Sequence, residues 1–170
     1  MRITGYKIRE ALKQWQLRRD SVETQFSGAL FAFEDEQKAH PDEVAESILT
    51  AETAIATLQT YQTQYNMGVH VDVEGLGRVP LLTCIKRVGG LGRLEKKWRA
   101  ASSAKEDRYG LNEPDTRDPT RLVAKRVVSF DDARKRTEAL VKRLGALREA
   151  ISVGNAQLFE IQNLDAALFE

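Results

Sequence analysis

Residues 44–65 read VAESILTAETAIATLQTYQTQY, and the reading of this stretch decides the fold. Val44, Ile48, Ala51, Ile55, Leu58, Gln62 and Tyr65 follow one another in steps of four and three. That alternation lines one side of a slightly under-wound helix, the seam of a coiled coil. Working outward, the same ladder occurs twice more. It runs through Ile8, Leu12, Trp15, Arg19, Val22, Phe26, Ala29 and Phe33, and through Phe130, Ala133, Thr137, Leu140, Leu144, Leu147 and Ile151. A seam is a surface for meeting other helices, not a pocket for chemistry.

The boundaries of the helices are written in their flanks. Thr4 is a candidate N-cap for helix one, which the pattern carries to about Glu36. Pro41 suits the first position of helix two, and Asp42 and Glu43 suit the positive end of its dipole. Helix two reaches about Asn66, with Gly68 expected to end it in the left-handed conformation. A turn this short between two long amphipathic helices makes them antiparallel neighbours. Val69, Val71 and Val73 then alternate with His70, Asp72 and Glu74, the period of a half-buried strand. Gly75-Leu76-Gly77 turns it back through Arg78-Val79, and Pro80 stops it. Helix three is expected over Leu81 to Ala104. Its apolar set, Leu81, Leu82, Ile85, Val88, Leu91, Leu94, Trp98 and Ala101, is less regular, with Gly89, Gly90 and Gly92 inside it. Residues 105–120 read as a loop, Arg121 to Val128 as a short strand that pairs with the first hairpin, and Ser129 as the N-cap of helix four.

The expected fold is therefore mainly α. Long antiparallel helical hairpins form a four-helix-bundle-like domain of coiled-coil character with a small β-hairpin insert. The single domain spans 1–170: a helical hairpin at 1–66, the β-hairpin at 67–80, a second helical pair with its loop at 81–157, and an apolar tail at 158–170.

Composition narrows the class. The 170 residues carry 26 Lys+Arg against 25 Asp+Glu, a net charge of +1. The charge is uneven, at −3 over residues 1–66, +4 over 67–110 and zero over 111–170. Cys84 is the only cysteine, so no intrachain disulfide forms, and a cytoplasmic, reducing compartment is expected. No apolar run approaches the roughly 18 residues of a membrane span. His40 and His70 fall on different elements without ligand spacing, so no metal or cofactor is expected. Cys84 sits on an apolar helix with neither histidine placed as its base, so no catalytic residue is assigned and an enzyme is not expected.

Two surfaces attract attention. The segment from Ile85 to Arg93 resembles the helix-hairpin-helix of non-specific DNA binders, with Gly90-Leu91-Gly92 at the turn. Lys86, Arg87, Gly90, Gly92, Arg93, Lys96 and Lys97 are its candidate phosphate contacts. Against it, Lys96 and Arg99 stand where that pattern wants small or core residues. The competing reading is that the glycines allow a close helix crossing or a kink. The second surface is the tail. Leu158, Phe159, Ile161, Leu164, Leu168 and Phe169 exceed what a free terminus exposes. They either cover the end of the bundle or dock on a neighbouring subunit, and they are candidate oligomer contacts. Arg19 and Gln62 interrupt their seams and are candidates for pairing with an acid across the hairpin.

The order of parts has a parallel. A hairpin closes on Asn66, Leu81-Leu82-Thr83 leads into the helix with Lys86-Arg87, and Asp107-Arg108-Tyr109 precedes a loop. The last helix contains Ala133-Arg134-Lys135, Leu144, Leu147, Ile151 and Asn155. This resembles the septicolysin-like family of small bacterial helical proteins, departing from it at Asn155-Ala156 and in the triple glycine. The resemblance implies that helix three continues through the glycines, and it supplies no enzymatic mechanism. The expected function is a non-enzymatic, homo-oligomeric helical scaffold or interaction protein, with Trp15, Phe26, Phe33, Ile55 and Leu144 as core anchors. The alternative is a nucleic-acid-associated protein using the basic segment 86–99. A membrane-active, cytolysin-like protein ranks third.

Overall fold

A computed structural model describes residues 1–31, 38–103 and 126–170. Along them lie β1 (Arg2–Ile3), α1 (Gly5–Ala29), α2 (Pro41–Gly68), β2 (His70–Val73), β3 (Gly77–Pro80), α3 (Leu81–Ser103), α4 (Phe130–Ala156), β4 (Phe159–Glu160) and a short 3-10 turn (Ala166–Phe169). The fold is mainly helical, with four helices and two small antiparallel sheets among the described residues. The chain divides into two compact units. Unit 1 is Met1–Leu82 with Ala150–Glu170, and unit 2 is Thr83–Glu149.

The helices of unit 1 start where their caps dictate. The Thr4 hydroxyl accepts the Lys7 N–H at 3.3 Å, and His40 Nδ1 accepts the Asp42 N–H at 3.3 Å with Pro41 behind it. α1 ends at Ala29 with Leu30 as its C-cap, earlier than the ladder implied; the expected continuation, with Phe33, lies outside the described residues. The α1 ladder nonetheless marks the inward side faithfully. Ile8 and Leu12 are buried, and Trp15, Arg19, Val22, Phe26 and Ala29 are half-buried while their neighbours are exposed. On α2, Val44, Ala51, Ile55, Leu58 and Tyr65 are buried, joined by Ala54 and Tyr61. α1 and α2 run antiparallel: Gly5 lies against the Tyr65 ring, and Arg19 reaches Glu52 at 3.1 Å, the cross-hairpin ion pair the seam called for. Hydrogen bonds to Asp20 and Glu52 hold the Arg19 guanidinium pKa above its ordinary value.

Gly68 corrects a sequence expectation. It is the last residue of α2 with an ordinary negative φ, and the left-handed glycines are Gly75 and Gly77 in the β2–β3 turn. Gly68 is needed for another reason: a Cβ there would collide with the Phe159 ring. The β2–β3 hairpin itself is as expected, with His70 opposite Pro80 and Val71 opposite Val79, and its Val69, Val71 and Val73 are buried. The expected third strand lies mostly outside the described residues, and Arg126–Val128 is not strand.

In unit 2, the Ser129 hydroxyl accepts the Asp132 N–H at 3.0 Å and donates to its carboxylate at 2.7 Å, capping α4 as its sequence requires. Ala133, Thr137, Leu140, Leu144 and Leu147 form the buried stripe of α4, the five middle rungs of the third ladder, with Phe130 and Ile151 half-buried at its ends. The C-terminal end of α3 lies beside the start of α4, where Arg126 bonds the Ala101 carbonyl and the Arg136 guanidinium sits 4.5 Å from the Trp98 ring. α3 corrects the phase read from sequence. Ile85 and Leu94 are exposed, while Cys84 and Glu95 are buried. The inward line is Leu81, Cys84, Val88, Leu91, Glu95, Trp98 and Ser102, a fourth ladder of threes and fours.

Candidate functional site

Three regions compete as functional surfaces, and each is built by a local sequence reason. The first is the tail of unit 1. α4 ends at Ala156, and β4 then pairs with β1, Arg2 opposite Glu160 and Ile3 opposite Phe159. The Ile161 N–H donates to the Met1 carbonyl at 3.2 Å, and its side chain is 1% exposed. Asn163, at φ 55, turns the chain in a conformation that asparagine tolerates better than most residues. Three aromatic side chains of α1 and α2 then clasp the returning backbone. Tyr65 Oη lies 2.7 Å from the carbonyl oxygens of both Gly154 and Gln157, which share its single proton. Tyr61 Oη donates to the Asn163 carbonyl at 2.9 Å and accepts the Asp165 N–H at 3.0 Å. Trp15 Nε1 donates to the Leu168 carbonyl at 3.0 Å. Phe159 meets the Tyr65 ring edge-on, with centroids 5.9 Å apart, and Leu164, Leu168 and Phe169 pack on the core.

Of the two readings of the tail, these contacts favour the one in which it covers its own core. Phe159, Ile161, Leu164, Leu168 and Phe169 close the core of their own chain, and only Leu158, 67% exposed, faces outward. The missed signal was the set of aromatic hydroxyl and indole groups facing inward from Trp15, Tyr61 and Tyr65. Each needs a hydrogen-bond partner when buried, and a returning main chain supplies it. Burial also holds the Tyr65 phenol above its ordinary pKa.

The second region is the far half of the α1/α2 seam. Trp15, Arg18 and Val22 from α1 and Glu43, Glu46, Ser47, Thr50 and Ala51 from α2 line an open cleft of about 560 Å3. The Arg18 guanidinium lies 4.7 Å from the Trp15 ring centroid. Nearby apolar groups stand in solvent, including Leu30 and Phe31, the latter 77% exposed. The physical reason is simple: two helices alone cannot cover both of their seams.

The third region is the outward side of α3. Lys86, Arg87, Arg93, Lys96 and Lys97 are exposed and make no ion pair among the described residues. Gly90-Leu91-Gly92 is not a turn. α3 is helical through all three glycines, and none has a positive φ, which removes the helix-hairpin-helix geometry. Nor do they mark a close crossing with a described helix: among the described residues a Cβ at Gly90 or Gly92 would meet nothing within 4 Å, and one at Gly89 only the Arg93 guanidinium at 3.8 Å. Glu95 is the one acid of the segment. It is 8% exposed and bound by Arg99, Nε to Oε1 at 2.6 Å.

Among the described residues no group of three or more His, Cys, Asp or Glu side chains could hold a metal ion. Burial raises the Cys84 thiol pKa, against the smaller opposing pull of Arg87, which keeps it protonated and weakly nucleophilic. His40 is occupied as a cap, and His70 Nδ1 lies 3.0 Å from the Gly68 carbonyl. Among the described residues no helix is long and apolar enough to cross a membrane. No protein-family model, curated protein or solved structure matches the chain.

Proposed function

We propose that this chain is a non-enzymatic helical scaffold that assembles with copies of itself through the far half of the α1/α2 seam. The observation that carries this is the persistence of the ladder past the point where the core closes. Val22, Phe26 and Ala29 keep the seam spacing but stay half-buried, beside an open cleft and exposed Leu30 and Phe31. Coiled-coil seams in this state bury their remaining apolar surface by recruiting further helices. The cleft is self-complementary in charge, with Arg18 on one wall and Glu43 and Glu46 on the other. A two-fold pairing of two such clefts sets each Arg18 against the acids of the other copy. Four helices from two chains then give the bundle-like, coiled-coil packing. A septicolysin-like assignment agrees with such a helical, non-enzymatic role, and the free Cys84 agrees with a cytoplasmic setting.

Sedimentation equilibrium at micromolar concentration tests this. The wild-type chain is expected to be dimeric or larger, and Val22→Glu with Phe26→Glu to be monomeric with unchanged helicity. Deleting Leu158 outward is not an equivalent test, because the tail belongs to the core. A wild-type chain that sediments as a monomer at tens of micromolar would sink the proposal.

A further inference from the structure

The two units carry opposite charge. Unit 1 has 8 Lys+Arg against 15 Asp+Glu, a net −7, and unit 2 has 18 against 10, a net +8, which together return the +1 of the whole chain. The described residues of unit 2 hold all of that excess, with 13 basic side chains against 5 acidic ones over residues 83–103 and 126–149. It is concentrated on α3, where six cations accompany one acid, Glu95, and that acid is buried under Arg99. The outward side of α3 therefore presents positive charge with no exposed carboxylate of its own.

The order of residues on that side is more telling than the sum. Lys86, Gly90, Arg93 and Lys97 are separated by four, three and four residues, so they form one line along the helix, roughly 16 Å from end to end. Arg87 and Lys96 flank it. Gly90 leaves bare backbone in the middle of the line, and Gly89 lies beside it with only Arg93 near. Glycine in a helix weakens it relative to alanine. Among the described residues nothing approaches closely enough to need that loss at Gly90. The space suits a group outside the chain that lies flat against the helix between two cations.

We propose that this side of α3 binds the phosphate backbone of nucleic acid, through the row Lys86–Arg93–Lys97 and the bare surface at Gly89 and Gly90. A duplex presents one negative charge per ~1.7 Å of its axis, so a ~16 Å row of cations always faces phosphates whatever the base sequence. An acidic protein partner would call for an apolar or aromatic anchor at the centre of the interface, and the row has none. A membrane surface would call for a free apolar side on the same helix. Val88, Leu91 and Trp98 of α3 are instead half-buried, and Leu81 is fully so. The two exposed apolar residues, Ile85 and Leu94, are nine positions apart and so stand on opposite flanks of the row rather than on one continuous apolar side. The binding proposed is electrostatic, because a row of cations and bare backbone meets phosphates whatever the base sequence.

The test is fluorescence anisotropy with the full-length chain and a labelled duplex of mixed sequence, repeated across salt concentrations. Three neutralised phosphates give a slope of about −2.7 in log K against log salt, a loss near 40-fold between about 50 and 200 mM. Lys86→Gln with Arg93→Gln and Lys97→Gln should abolish most of that slope, about one unit per cation removed. Gly90→Leu keeps every charge but fills the bare surface, and it should weaken binding several-fold. Lys135→Gln with Lys142→Gln on α4 should change affinity less than twofold. Circular dichroism of each variant shows that the helices persist. No duplex binding at low salt overturns the proposal, and so does binding that survives the triple variant. Salt-sensitive capture of poly-glutamate or of anionic phospholipid vesicles without capture of the duplex overturns it in favour of those partners. Self-association is read separately by sedimentation, so failure of one proposal leaves the other standing.

Discussion

Gly154 in unit 1 and Gly90 in unit 2 both lie within helices, yet their surroundings are opposite. A Cβ at Gly154 would stand 2.8 Å from Leu81 Cδ1 and from Val71 Cγ1, whereas one at Gly90 would meet nothing within 4 Å. Gly5 and Gly68 resemble Gly154, closed in by Tyr65 with Asn155 and by Phe159. Gly89 and Gly92 resemble Gly90. At Gly5, Gly68 and Gly154 glycine lets elements of the same chain come together, and its cost to the helix is offset by core packing. At Gly90 and Gly92, as at Gly28 near the end of α1, no described residue comes close. The comparison teaches that one residue type marks interior closure where elements of unit 1 converge and open surface on the outward side of α3.

The largest expected effect is on the closure of unit 1. Ile161→Ala removes a fully buried side chain at the point where the tail enters the core, and should cost about 2–5 kcal/mol in urea unfolding. A loss well under 1 kcal/mol would mean that the tail is not part of the core. The glycines come next. Gly154→Ala overpacks its surroundings and should destabilise by about 1–3 kcal/mol. Gly90→Ala should stabilise by about 1 kcal/mol through helix propensity alone. Shifts of the same sign in thermal melts would break the contrast between the two units.

Smaller effects sharpen it. Trp15→Phe removes one hydrogen bond to the tail and should cost about 0.5–1.5 kcal/mol. In unit 2, Glu95→Leu replaces a buried, paired carboxylate by the residue type its ladder position favours. The partner left behind, Arg99, has a side chain 65% exposed, so no buried charge is stranded and no loss of stability is expected in chemical denaturation. The last effect depends on pH. Burial raises the Tyr65 phenol above its ordinary 10.0, so the fold favours the protonated form. That contribution is complete below about pH 10 and is lost as the pH rises through the elevated folded-state value. Stability followed by circular dichroism should therefore fall in strong alkali, and Tyr65→Phe should flatten that fall while losing stability at neutral pH.

Much of this was legible in residue spacing. Three ladders located the inward sides of α1, α2 and α4, because burial in a helix repeats with the helical period and the apolar residues report it directly. Thr4, Pro41 and Ser129 located helix starts, since unpaired N–H groups at a helix end need those side chains. The α3 ladder was hidden, because two of its rungs are Cys84 and Glu95 and the more apolar Ile85 and Leu94 beside them face out. Hydropathy alone weights those two the wrong way. The cations of segment 86–99 were visible as a candidate site, but the turn drawn through Gly90-Leu91-Gly92 was not what holds them.

What the residues determined by themselves is periodic and local: four helices, their caps, the β2–β3 hairpin and the basic character of α3. The destination of the tail was decided by tertiary structure. A 13-residue tail rich in large apolar side chains fits a partner's surface or its own core equally well by composition. Only the placement of Trp15, Tyr61 and Tyr65, each with a donor facing one backbone carbonyl or more of the returning chain, selects the second. Likewise, a glycine is the same letter whether it is enclosed by Leu81 and Val71 or open to solvent. Helix periodicity is a property of neighbours in sequence, whereas the need for a missing side chain is a property of neighbours in space.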